Sequence, residues 1–80
     1  MKIKIARGSG QHVNELVVNL DSLRYVVVFS CHIVLGYVGG GNTTTLIHDG
    51  CEDCEYHISE VLSDKEFSRV VKIISDWAST

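Results

Sequence analysis

Leu23-Arg24-Tyr25-Val26-Val27-Val28-Phe29-Ser30-Cys31-His32-Ile33-Val34-Leu35-Gly36-Tyr37-Val38 is the stretch on which the fold turns. Almost every residue in it is apolar, and its β-branched and aromatic content argues for strand. Sixteen residues exceed a usual strand, so a bend or bulge is expected around Ser30-Cys31-His32. A run apolar on both sides predicts a central strand, covered on both faces.

Upstream, Asp21-Ser22 reads as a tight turn between Leu20 and Leu23. Lys2 to Ala6 alternates with period two and predicts a strand, which Gly8-Ser9-Gly10 ends. Between them, Val13, Leu16, Val17 and Leu20 sit at helical spacing. Val17-Val18 and two asparagines are weak helix formers, however, so a strand over Glu15–Leu20 is the preferred of the two readings.

Downstream, Gly39-Gly40-Gly41-Asn42 is a turn of residues that tolerate positive φ. Thr43 to Ile47 follows as a strand, and Asp49-Gly50 invites another tight turn. Tyr56 to Leu62 places Tyr56 and Ile58 on one face and leads into a helix. Ser63 is a natural N-cap there, and Glu66 completes a capping box, with Leu62 and Phe67 as its hydrophobic staple. Phe67, Val70, Val71, Ile74, Trp77 and Ala78 form one apolar face of a helix over 64–78. The predicted class is α+β: one domain over residues 1–80, an antiparallel sheet of four to five strands built from consecutive hairpins, and one C-terminal helix packed across it.

Charge is unevenly distributed. Lys2, Lys4 and Arg7 make the first strand basic, whereas residues 42–66 hold seven acids against the single base Lys65, a net of −6. Such a segment repels a phosphate backbone and attracts a basic protein surface, so direct nucleic-acid binding is not expected. No targeting signal and no membrane span is expected. Three cysteines, an odd number, fit a disulfide framework poorly, so a cytoplasmic location with reduced thiols is the expectation.

Most of the candidate chemistry lies between His48 and His57. His48-x2-Cys51-x2-Cys54-x2-His57 holds two sulfurs and two imidazoles, the set that a structural zinc site uses. Four ligands from ten consecutive residues would have to wrap one ion in a cramped coil, and a site completed by Cys31, His32 or a second chain is easier to build. No cofactor is expected otherwise. Cys51-Glu52-Asp53-Cys54 has dithiol spacing, but the two acids between the thiols raise their pKa and suppress the thiolate. Cys31 and His32, adjacent on a strand, point to opposite faces and do not make a thiolate–imidazolium pair. The glycine-rich turns lack the Lys-Ser/Thr pair and the helix of a phosphate cradle. An enzyme is therefore not expected.

Asp49, Glu52, Asp53, Glu55, Glu60, Asp64 and Glu66 can cluster on one edge of the molecule. Those carboxylates would stand where a nucleic-acid-binding protein expects phosphates. Very short, acidic, α+β and without a recognisable catalytic set, the chain resembles in general character the small proteins that phages encode to block host defences, anti-CRISPR proteins among them. That resemblance implies a stoichiometric inhibitor that occupies a surface. The expected function is a non-enzymatic interaction module whose acidic edge binds a basic nucleic-acid-binding surface on a host protein or ribonucleoprotein. The alternative is a small zinc-binding module. A third reading is a homo-oligomer with an exposed strand edge or Trp77 at the contact.

Overall fold

Ser63 opens the element across which the rest of the chain is laid. In the computed structural model, which describes residues 1–8, 13–39, 41, 43–49 and 60–79, helix α1 spans Asp64–Ala78. The Ser63 Oγ accepts the Glu66 backbone N–H at 3.2 Å, satisfying one of the orphan donors of the first turn. Asp64 and Glu66 lie in that turn, where the positive end of the helix dipole favours them. Phe67, Val70 and Ile74 are buried, and Val71, Ile73 and Trp77 pack partly buried against the same core. Trp77 is thus a rim residue of the core, and Ala78 is exposed.

Six strands lie with α1 among the described residues. β1 (Lys2–Arg7) and β2 (Asn14–Asn19) form an antiparallel ribbon, paired from Lys2 with Asn19 to Arg7 with Asn14. The second segment is therefore strand, as its valines and asparagines predict. A single 3-10 turn, Leu20–Ser22, follows, with the Asn19 side chain accepting the Asp21 N–H at 3.1 Å. β3 (Leu23–Val28), β4 (His32–Tyr37), β5 (Thr43–His48) and β6 (Glu60–Leu62) form a four-stranded sheet in that order.

Three expectations change. The long apolar run does more than bend: the Phe29 N–H donates to the His32 carbonyl at 2.8 Å, and the chain reverses into a β3–β4 hairpin. Only its second half is central, and among the described residues β3 is an edge strand. Asp21-Ser22 does turn the chain, but β2 pairs with β1 and β3 with β4, so no hairpin joins β2 to β3. Finally, β6 runs parallel to β5, so the sheet is mixed and these two strands do not form the hairpin that an all-antiparallel sheet requires.

One cluster of buried side chains draws on every layer. Ile3, Ile5, Val18 and Leu20 come from the ribbon and its turn, Ile33, Leu35, Leu46 and Leu62 from the sheet, and Phe67, Val70 and Ile74 from the helix. Each large aliphatic removed from water contributes about 1.5–3 kcal/mol, which is what commits α1 to this face. The ribbon continues alongside β6: the Gly8 N–H donates to the Val61 carbonyl at 2.7 Å. Gly8 has φ +105°, a conformation that L side chains rarely adopt, so glycine is what lets β1 end on that bond.

Candidate functional site

Two surfaces compete for attention, the acidic edge and the open edge of β3. Of the residues predicted for the first, His48, Asp49, Glu60, Asp64 and Glu66 are described, whereas Cys51, Glu52, Asp53, Cys54, Glu55, Tyr56 and His57 lie outside the described residues.

Three of the four described acids have basic partners within the chain. Glu60 Oε1 accepts from Arg7 at 2.9 Å, which fastens β6 to β1, and the same guanidinium donates to Asn14 Oδ1 at 2.6 Å. Asp64 Oδ1 lies 2.6 Å from His48 Nε2, linking the end of β5 to the first turn of α1. The Glu66 carboxylate accepts three hydrogen bonds: from the Ala6 backbone N–H at 2.6 Å and from the Arg69 guanidinium at 2.6 and 2.9 Å. Arg69 also donates to the Lys4 carbonyl at 2.6 Å. Those bonds from Arg69 and Ala6 hold the Glu66 carboxyl below the usual carboxylate range, outweighing its burial, and Glu66 in turn raises Arg69. The expected capping box is therefore half-formed. Ser63 reaches forward to Glu66, but the Glu66 carboxylate is drawn away to β1. Asp49 is exposed, and its own N–H donates to the Leu62 carbonyl at 2.7 Å.

His48 meets the Phe67 ring edge-on at a centroid separation of 5.4 Å. With Asp64, Phe29 and Val28 it lines a shallow groove of about 380 Å³. Among the described residues, no group of three or more His, Cys, Asp or Glu side chains converges where it could hold a metal ion. The predicted zinc ligands Cys51, Cys54 and His57 fall outside those residues. Cys31 is disulfide-bonded, which corrects the expectation of reduced thiols and removes it from consideration as a nucleophile. His32 stacks on Phe29, with ring centroids 4.2 Å apart and planes 14° from parallel. Among the described residues, no helix is long and apolar enough to cross a membrane.

The second surface was missed by residue-by-residue reading. β3 exposes Tyr25 by 46%, Val27 by 40% and Val28 by 45%, and Phe29 beyond its end by 48%. Val26 pairs with Leu35 and packs on the core, so it and Val28 face the helix, while Tyr25 and Val27 face the opposite side. Gly36 makes room there. A Cβ at position 36 would fall 2.2 Å from the Tyr25 ring, which lies flat across that glycine. Signals for this surface do exist in the sequence: the lack of polar alternation in Tyr25–Phe29, and its symmetry, an aromatic at each end of three valines.

No family model matches the chain, and no match is found among curated proteins or solved structures. Function is argued from these surfaces alone.

Proposed function

We propose that the chain is a non-enzymatic interaction module that works by strand addition at the open edge of β3. The observation that carries this is a strand that, among the described residues, pairs on one side only and whose apolar side chains are about half exposed on both faces. Unpaired backbone groups on such an edge are a template for another extended segment. β3 lacks proline and lysine, two of the usual guards of a sheet edge, and its guards, Arg24 and the register shift between Leu23 and Tyr25, both lie at its start, away from Val26–Val28. In this role the protein acts by occupancy, as a small stoichiometric inhibitor would.

The acidic edge, with a basic nucleic-acid-binding surface as its partner, is the competing surface within the same class. It has less support, because Glu60, Asp64 and Glu66 are engaged by Arg7, His48 and Arg69. Its remaining charge rests on Asp49 and on Glu52, Asp53 and Glu55.

Capture from a lysate of the source organism at low and high salt separates the two. Val28→Lys is expected to weaken capture about tenfold, as a charge entering a strand-addition interface would, with little salt dependence. Reversal of Glu52, Asp53 and Glu55 to lysine is expected to leave capture unchanged. Loss on that reversal, with loss in high salt, would transfer the function to the acidic edge.

A further inference from the structure

We infer that the occupant of the β3 edge is a second copy of this chain, paired antiparallel to it about a twofold axis at Val27. This inference rests on the open-edge reading above and names the partner.

Backbone direction comes first. The Phe29 N–H closes the turn onto His32, so in an antiparallel ladder Phe29, Val27 and Tyr25 turn their polar backbone groups toward β4. Val26 and Val28 consequently turn theirs outward, to the open edge. An isologous contact requires that residue i meet j while j meets i. With Val27 on the axis, Val26 faces the partner's Val28 and Val28 faces the partner's Val26. These are the residues with outward-facing groups, and each such pair exchanges two backbone hydrogen bonds.

Side chains obey the same symmetry. On the face away from the helix, Val27 meets the partner's Val27, and Tyr25 meets the partner's Phe29. Cross-strand pairs of this kind, aromatic with aromatic and β-branched with β-branched, stabilise antiparallel ladders. On the helix face Val28, 45% exposed, meets the partner's Val26. Every exposed apolar residue of Tyr25–Phe29 thus finds an apolar partner, and Arg24 falls outside the apolar block, opposite the partner's Ser30. Moving the register by two residues loses this: centred on Val26, Arg24 would be set against the partner's Val28. The palindrome of aromatic, three valines and aromatic sets like against like when the strand pairs with its own copy about Val27. The product is a continuous eight-stranded sheet, made from the four strands of each copy.

Sedimentation of the whole chain at micromolar concentration tests this. The expected mass is twice the 8.9 kDa of one chain. Val27→Lys, which sets two ammonium groups against each other on the axis, is expected to weaken the dimer about tenfold or more. Val38→Lys, at a site 66% exposed and outside β3, is expected to leave it intact. Val27→Cys supplies a readout of register: mild oxidation should join the two copies at position 27, mapped by mass spectrometry, whereas Val28→Cys should not self-couple. A wild-type monomer, or a dimer indifferent to Val27→Lys, overturns the inference. If that monomer still loses its lysate partner on Val28→Lys, the open-edge reading survives without the dimer. If capture ignores Val28→Lys as well, both fall.

Discussion

Glu66 shows how a single carboxylate can be misassigned from sequence and yet matter more than expected. Its place three residues after Ser63 suggested a reciprocal cap, and its charge suggested a contact with a foreign base. Folding gives it an internal base, Arg69, and an internal amide, Ala6, so that one side chain joins the helix start to β1. Glu66→Gln is expected to cost about 1–2 kcal/mol in urea denaturation, the range for hydrogen bonds to a charged group tempered by the half-exposed Arg69. The pH dependence has a definite sign. Because its pKa is lowered in the folded chain, Glu66 contributes stability that is complete above the ordinary carboxylate pKa of about 4.3 and is lost as pH falls through the lowered value. The glutamine variant should lack that part of the acid limb. No local sequence pattern announces the link to β1, because Ala6 lies 60 residues from Glu66 and Lys4 lies 65 from Arg69.

At the scale of elements, legibility followed the range of the forces involved. The helix was readable to its ends, since Ser63, the apolar spacing and the charged first turn are all local. The strands were readable as strands from their β-branched residues. Which of them would lie at an edge was not, because Tyr25–Phe29 and Ile33–Tyr37 are equally apolar and only pairing assigns one to the margin. The parallel setting of β6 was hidden for the same reason. Gly36 belongs at this level: it exists to receive the Tyr25 ring from the neighbouring strand. Gly36→Ala is expected to change stability by less than about 1 kcal/mol, since the gain from replacing glycine in a strand offsets the displaced ring. Tyr25 would then swing off its seat and no longer meet the partner's Phe29. Sedimentation should accordingly show weaker self-association in a chain that melts almost as before.

For the molecule as a whole, the charge polarity of the sequence is answered within the fold at Glu60, Asp64 and Glu66. Arg7 of the basic first strand meets Glu60 of the acidic half, and Arg69 reaches the carbonyl of Lys4. The candidate acidic site was visible as composition, but composition does not say which carboxylates will be engaged. The thiols were misjudged in the same way, since an odd count says nothing about whether one pair forms. Cys31→Ser is expected to lower stability by about 2–4 kcal/mol, the ordinary worth of a disulfide. Equal melting temperatures with and without reductant would show that the bond contributes nothing.

The fastening of β1 to the far end of the chain also bears on the order in which the structure assembles. The β3–β4 and β4–β5 pairings close short loops, whereas Gly8 to Val61, Arg7 to Glu60 and Ala6 to Glu66 each close more than fifty residues. Closing long loops costs entropy before any contact rewards it, so these bonds belong after the rate-limiting step. Glu66→Gln should then leave the refolding limb of a chevron nearly unchanged and raise the unfolding limb at unchanged slope, the native chain coming apart faster. The ribbon is a latch fitted last, and its strength sets how long the molecule stays shut.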